Sequence, residues 1–99
     1  MELALDEYVA ALKNRKEVIA VYLCGSWAKG AYTVASDVDL LIIIKEDFRV
    51  PRERIPQYLP SRFPVSLDLF IYTEAEIQNN PFIESLRQEG ISLYRQQES

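Results

Sequence analysis

The chain contains no histidine and only one cysteine. One cysteine excludes an internal disulfide bond, and without histidine the usual ligand sets for zinc cannot be assembled. Any metal ion that this chain binds must therefore be held by oxygen ligands. The cation that such a set usually holds in proteins is Mg²⁺.

Long apolar runs and an excess of positive charge are also missing. No apolar run approaches the ~20 residues of a membrane-spanning helix, and residues 1–7 lack the basic-then-apolar order of a signal peptide, so we expect a cytoplasmic protein. The net charge of −4 argues against binding to long nucleic acid, which needs a basic face. With 99 residues, 48% of them apolar, the chain is expected to form one domain over residues 1–99.

Hydrophobic patterning predicts alternating helices and strands. Apolar residues recur at helical spacing over residues 3–15, whereas Val18–Cys24, residues 37–44 and residues 65–72 are typical of strands. A short helix is expected to follow the first strand, with Ser26 near its cap. Together these elements predict an α+β domain, in which helices cover a small mixed β-sheet.

The end of the chain carries three local signals. Thr73 and Glu76 have the spacing of a capping box, so a helix is predicted to begin there. Asn80 and Pro81 resemble the cap and first residue of a second helix, which Gly90 is expected to close. Residues 91–94 are then expected to form a short edge strand.

The segment 49–64 combines four arginines with four prolines. Because proline disfavours helix interiors and central strands, a long loop or a broken helical turn is predicted here. Its arginines either lie in water or contact an acidic partner or a triphosphate. The four arginines are Arg49, Arg52, Arg54 and Arg62.

A Gly-Ser pair followed, after ten residues, by two closely spaced aspartates is the most informative motif. Gly25 and Ser26 end the first predicted strand, and Asp37 and Asp39 open the second. Residues two apart share a face of a strand, so the two carboxylates repel each other and need a cation. The motif therefore indicates a phosphate-binding turn beside a Mg²⁺ site. As alternatives, Asp37 caps a turn and Ser26 caps a helix.

A third carboxylate lies in the middle of the third predicted strand. The apolar residues of this strand occupy one face, which places Asp68 on the other. A carboxylate there is costly unless it is solvated, paired or bound to a metal ion. If this strand is next to the second, Asp68 converges with Asp37 and Asp39; otherwise it pairs with an arginine of segment 49–64. Cys24 is expected to be a small buried residue and not a nucleophile.

These motifs resemble the nucleotidyltransferase superfamily typified by DNA polymerase β. The signature of that superfamily is Gly-Ser, about ten residues, Asp-x-Asp, and a later carboxylate on a neighbouring strand. The closest likeness is to the minimal nucleotidyltransferases, small domains often paired with a HEPN protein in toxin-antitoxin modules. The likeness extends from Val18 to about Tyr94 and includes Pro81-Phe82 at a helix start.

The resemblance implies a role for each site residue. Asp37 and Asp39 would hold two Mg²⁺ ions, and Asp68 would bind the second ion and activate the acceptor hydroxyl. The implied nucleotide is ATP, with its phosphates near Gly25, Ser26 and Lys29. Many relatives carry an arginine directly after Gly-Ser, where this chain has Trp27, which is expected to pack against the sheet or stack on a base.

The resemblance also implies a partner. Minimal nucleotidyltransferases are understood to act as antitoxins that transfer AMP from Mg-ATP to a tyrosine of a HEPN ribonuclease toxin. A protein adenylyltransferase antitoxin is therefore the first hypothesis. The alternatives are an antitoxin that neutralises its partner by binding alone and a nucleotidyltransferase acting on a small molecule.

Overall fold

The computed structural model describes residues 2–30, 37–60 and 62–96. Helices and strands alternate as the patterning predicts, with one additional helix between the second and third strands. In chain order they are α1 (Glu2–Lys13), β1 (Val18–Cys24), α2 (Gly25–Lys29), β2 (Val38–Ile44), α3 (Pro51–Tyr58), β3 (Leu67–Thr73), α4 (Glu74–Gln78), α5 (Pro81–Glu89) and β4 (Ile91–Arg95). No helix in these ranges is long and apolar enough to cross a membrane.

The strands form a mixed sheet with the order β3-β2-β1-β4. β1 is antiparallel to both β2 and β4, whereas β2 and β3 are parallel. The expected α+β class, with helices covering a small mixed sheet, is confirmed. The parallel pair matters for function because it brings the beginnings of β2 and β3 to the same edge of the sheet.

Helices cover both faces of the sheet. One face packs against α1, α2 and α3, and the other packs against α4 and α5 through Ile77 and Ile83. β2 is central, so all residues from Leu40 to Ile44 are buried. This double coverage explains why β2 is a continuous apolar run and does not alternate with polar residues.

The helix-boundary signals near the end of the chain are confirmed. Thr73 and Glu76 form a complete capping box at α4, and the Asn80 side chain accepts a hydrogen bond from Ile83 N at the start of α5. Gly90 closes α5 with an ordinary negative φ, and a Cβ there would meet Leu23 O at 3.0 Å. Close packing against β1, and not a left-handed turn, therefore accounts for glycine at this position. The short helix expected near Ser26 is also present as α2, but Cys24 occupies its N-cap position, so Ser26 does not itself cap the helix.

The proline-rich segment was predicted as a long loop or a broken helical turn, but the structure has an eight-residue helix here. Residues 51–58 form α3, with Pro51 at its first turn and Pro56 inside it. Pro51 costs nothing there, because the first N–H groups of a helix have no intrahelical partner. Pro56 does remove a hydrogen bond. The helix nevertheless persists, because Arg54 and Tyr58 anchor it inside the protein.

The sequence suggested that Arg54 lies in water or on a partner-binding surface. In the structure it is fully buried. Its Nη1 donates to Ile71 O at 3.0 Å and to Glu76 Oε1 at 2.7 Å. Its Nη2 donates to Asp47 O at 2.8 Å and to Arg49 O at 2.5 Å. One guanidinium group therefore ties α3 to the turn at 47–50, to β3 and to α4.

We expect this cluster to make the fold sensitive to acid. Hydrogen bonds from Arg49 lower the pKa of Asp47 to about 2, and the hydrogen bond from Arg54 lowers the pKa of Glu76. Both groups titrate near 4 in an unfolded chain. Their stabilisation is present above that pH and is lost as the pH falls through the folded-state pKa values.

Urea unfolding at pH 7, 5, 4 and 3 measures this effect. The free energy of unfolding should be steady between pH 7 and pH 5 and should decrease below pH 5. An Asp47→Asn variant should lose less stability over the same acid range, because it lacks one of the two titrating groups. Equal losses in both proteins would show that Asp47 does not contribute.

Candidate active site

Two of the three predicted carboxylates lie side by side on neighbouring strands. Asp39 of β2 is in register with Asp68 of the parallel strand β3. Their side chains are on the α4/α5 face of the sheet, with Asp39 partly buried and Asp68 exposed. Asp68 therefore does not pair with an arginine of segment 49–64, which was the alternative that the sequence left open.

Partial burial and neighbouring carboxylates make ionisation of Asp39 unfavourable. The pKa of Asp39 is raised, first by partial burial, then by the charge of Asp68 and a side-chain hydrogen bond with it, and last by the charge of Asp37. Two carboxylates that share a site disfavour each other's charged form. A cation between them would remove this cost, so the pair is chemically suited to hold one.

Gly25 of the Gly-Ser turn packs directly against Asp39. Gly25 has a φ of +68°, in the left-handed region, and a Cβ built on it would overlap Asp39 Oδ2 and lie 3.2 Å from Asp39 Cγ. Two features therefore require glycine at this position: the left-handed backbone conformation, and the space that the Asp39 carboxylate occupies. Gly25 and Asp39, fourteen residues apart in sequence, therefore lie in one site.

The remaining predicted site residues are Ser26, Asp37 and Lys29. Ser26 follows Gly25 in α2 and is partly buried. Asp37 is exposed, immediately before β2 begins, and acts on Asp39 only through its charge. Lys29 is in the last turn of α2, where its Nζ lies 3.9 Å from Glu89 Oε2 on an exposed surface. The roles of Ser26, Asp37 and Lys29 toward a nucleotide remain predictions.

Trp27 and Cys24 both contribute to packing around the site. Trp27 is partly buried against the core on the α1 side of the sheet, one of the two positions expected for it. Cys24 is in register with Asp39 on β1, and its thiol donates to Leu86 O at 3.5 Å. Burial raises the pKa of this thiol to about 11. Cys24 is thus a buried, unreactive neighbour of the site, as predicted.

The donor set partly matches the expected Mg²⁺ site. Within residues 2–30, 37–60 and 62–96, no three acidic, cysteine or histidine side chains come close enough together to hold one ion. Asp39 and Asp68 do form a pair of hard oxygen donors of the kind that Mg²⁺ prefers. The structure thus assembles two of the three expected ligands, with Asp37 nearby.

A mixed sheet that places paired carboxylates beside a Gly-Ser turn defines a nucleotidyltransferase domain. The chain belongs to the polymerase beta nucleotidyltransferase family, whose family model matches residues 7–99. The likeness predicted from Gly25, Ser26 and the aspartates is therefore confirmed at the level of the family.

Two individual proteins are also similar to the chain. A Methanocaldococcus jannaschii protein named putative protein adenylyltransferase is 45% identical over 49 residues, which make up 48% of this chain and 49% of that protein. The chain thus aligns with about half the length of this relative. The crystal structure of a putative nucleotidyltransferase from Sulfolobus solfataricus matches with a TM-score of 0.61 and 18% identity, over 94% of this chain and 75% of that one. This second likeness shows the fold alone.

Replacing Gly25 with alanine is expected to impair the site. The left-handed backbone costs a non-glycine residue about 1–2 kcal/mol, and the added Cβ must displace the Asp39 carboxylate. Nucleotide transfer should fall at least about tenfold, the effect of ~1.4 kcal/mol on a barrier. Nucleotide transfer is measured with a labelled nucleoside triphosphate, and stability is measured by thermal unfolding.

Gly30 provides the matched control for this substitution. Its φ of +72° is similar, but a Cβ there would meet nothing within 4 Å. Gly30→Ala should therefore cost similar stability and leave transfer near the level of the unmodified chain. Equal transfer by the two variants would show that the contact between Gly25 and Asp39 is not needed.

Proposed function

We propose that this protein is an antitoxin that transfers AMP from Mg-ATP to a tyrosine of a HEPN ribonuclease toxin. The observation that carries the proposal is the Asp39–Asp68 pair, which lies in register beside the Gly25 turn. The family membership and the relative named as a protein adenylyltransferase support the same activity. The proposal takes residues 1–99 as one cytoplasmic domain.

The residues of the proposed site have three roles: they contact the phosphates, balance charge and hold the metal ion. Gly25 and Ser26 leave room for the terminal phosphates of ATP, and Lys29 balances part of their charge. Asp37, Asp39 and Asp68 would hold Mg²⁺, which supplies electrostatic stabilisation of the charge that develops during phosphoryl transfer. Asp68 is exposed at the rim of the pair, where an incoming hydroxyl can reach it.

The proposed reaction exchanges one bond at phosphorus for another. The tyrosine oxygen of the partner forms a bond to the α-phosphorus of ATP, and the bond from that phosphorus to the pyrophosphate oxygen breaks. The proton of the tyrosine hydroxyl passes to Asp68, which acts as the general base. The products are the adenylylated partner and pyrophosphate.

Mass spectrometry of the partner tests the proposal. The HEPN protein from the neighbouring gene is first treated with a phosphodiesterase to remove any AMP already present, and is then incubated with this chain and Mg-ATP. We expect its mass to increase by one or more AMP units on a tyrosine. An unchanged mass would contradict the catalytic proposal.

A second assay separates catalysis from neutralisation by binding. If the Asp37→Ala/Asp39→Ala double variant inhibits the ribonuclease at a 1:1 ratio without ATP, complex formation is sufficient for neutralisation. If inhibition requires both ATP and the intact aspartates, transfer is the mechanism. This comparison also tests whether the chain binds the toxin at all.

A further inference from the structure

The carboxylate pair has two different sides. On one side β1 leads into the Gly-Ser turn, and Gly25 packs against Asp39. On the other side β3 is the last strand of the sheet in the part of the chain that the structure describes. Asp68 on that strand is exposed, whereas Asp39 is partly buried. The pair is therefore bordered by the turn toward β1 and open toward the edge that β3 forms.

The geometry of phosphoryl transfer assigns the acceptor to the open side. The attacking and leaving oxygens lie roughly in line, on opposite sides of phosphorus. In the proposed site the terminal phosphates, which leave as pyrophosphate, lie at the Gly25 turn. The acceptor hydroxyl then approaches from the opposite side, across the beginning of β3 and past Asp68. Side chains on this part of β3 are therefore the ones that the acceptor meets.

Phe70 is the next residue of β3 on the same face as Asp68. Residues two apart in a strand share a face and are roughly 7 Å apart. Phe70 is in register with the fully buried Leu41 and packs against the core of the α4/α5 face. Its own side chain is only partly buried, and it lines a depression of about 200 Å³ between β3 and α3. An aromatic surface is thus accessible beside the proposed general base.

The spacing between Asp68 and Phe70 suits an acceptor with an aromatic ring. Two aromatic rings attract each other when their centroids are about 4.5–7 Å apart. A tyrosine whose hydroxyl reaches Asp68 can therefore place its ring against Phe70. A serine or threonine hydroxyl carries no ring and gains nothing from this contact. The open side of the site thus favours an aromatic hydroxyl over an aliphatic one.

We propose that Phe70 is a specificity-determining residue, whose ring contacts the ring of the tyrosine that accepts AMP. The inference rests on the proposed function, because it identifies which side of the same site receives that tyrosine. Phe70 holds the ring in position, and Asp68 takes the proton of its hydroxyl. Phe70 thereby selects tyrosine among the hydroxyl side chains of the partner.

Kinetics of AMP transfer test this role. Phe70→Leu preserves an apolar side chain for packing but removes the ring. The kcat/KM for the HEPN protein should fall about threefold to tenfold, the effect of losing one aromatic pair. The KM for ATP should change less than about twofold. Phe70→Trp retains an aromatic ring and should restore most of the lost kcat/KM.

Tyr72 provides the matched control. It lies on the same face of β3 and is also partly buried, but it is four residues from Asp68, or roughly 13 Å. Tyr72→Leu should therefore change kcat/KM for the HEPN protein less than about twofold. Thermal unfolding of each variant checks that a lower kcat/KM does not arise from loss of the fold.

Three results would overturn the role of Phe70 while leaving the proposed function intact. One is an unchanged kcat/KM in Phe70→Leu. Another is an equal loss in Phe70→Leu and Tyr72→Leu, which would reflect the general packing of β3. The third is a raised KM for ATP in Phe70→Leu, which would place this side chain on the nucleotide side of the site.

Photo-crosslinking provides a readout that does not depend on transfer. Benzoylphenylalanine in place of Phe70 should crosslink, without ATP, to a segment of the HEPN protein that contains a tyrosine. The same amino acid in place of Phe82, which is 63% exposed on α5, should not crosslink to that segment.

The crosslinks separate failure of this inference from failure of the proposed function. A crosslink from position 70 to a tyrosine-containing segment, without any AMP transfer, would support the contact and contradict only the enzymatic proposal. A crosslink to a segment without tyrosine would overturn the role of Phe70. Failure of the unmodified chain to bind the HEPN protein at all would overturn both.

Discussion

Asp39→Asn is expected to reduce nucleotide transfer at least about 10²-fold, because a metal ion contributes several kcal/mol of transition-state stabilisation and the proposed site loses one of its charged ligands. Asparagine keeps the shape of the side chain but removes one of the two charges that face the proposed cation site. Because Gly25 packs against this carboxylate, a neutral amide also changes the group that lines the nucleotide turn.

The same substitution should leave the fold intact or make it more stable. The raised pKa of Asp39 means that its charged form is disfavoured in the folded protein at neutral pH. Removing that charge relieves the repulsion from Asp68 and from Asp37. Urea unfolding at pH 7 should therefore give a free energy of unfolding equal to or above that of the unmodified chain.

An exposed acid on another surface provides the control. Asp6 is exposed on α1, so Asp6→Asn removes one negative charge without touching the site. Its transfer activity should be within about twofold of that of the unmodified chain. If Asp39→Asn labels the partner at the normal rate, the assignment of Asp39 as a metal ligand is wrong.

Arg54→Met is expected to lower the free energy of unfolding by about 3–5 kcal/mol, because it removes the donor from three carbonyl groups inside the protein, at about 1–3 kcal/mol for each buried group left unsatisfied. Methionine fills a similar space but leaves the carbonyl groups of Asp47, Arg49 and Ile71 without this donor. It also leaves the Glu76 carboxylate without its ion pair. Since domains are stable by only about 5–15 kcal/mol, the variant should be close to unfolding.

Arg52 allows a direct comparison within the same helix. Arg52→Met changes the same residue type in α3 at an exposed position, and its effect should be within about 0.5 kcal/mol. Chemical unfolding of the two variants at pH 7 measures the difference. Similar stability of both variants would show that the network around Arg54 contributes little to folding.

Local sequence patterns predicted the elements whose stability depends on neighbouring residues. The strand at β1, the capping box at Thr73 and the Asn80 cap follow from side-chain spacing and from hydrogen bonds within three or four residues. The carboxylate pair was also predictable, because alternation along β3 placed Asp68 on the face opposite to the apolar core. Only the tertiary structure showed that Asp68 is in register with Asp39.

Long-range contacts account for the predictions that were wrong or missing. Proline rules disfavoured a helix at residues 51–58 by about 3 kcal/mol for an interior proline, but α3 forms because Arg54 bonds to groups five to twenty-two residues away. Sequence patterns give no distance between such groups. The contact between Gly25 and Asp39 was missed for the same reason.

The sequence by itself determined the chemistry of this protein. The absence of histidine and the order of Gly25, Ser26, Asp37, Asp39 and Asp68 indicated an oxygen-ligand site beside a phosphate-binding turn before any distance was known. The tertiary structure decided which of these residues meet and where Arg54 lies. Residue type sets what a group can do, whereas its partners depend on packing between segments that are distant in the chain.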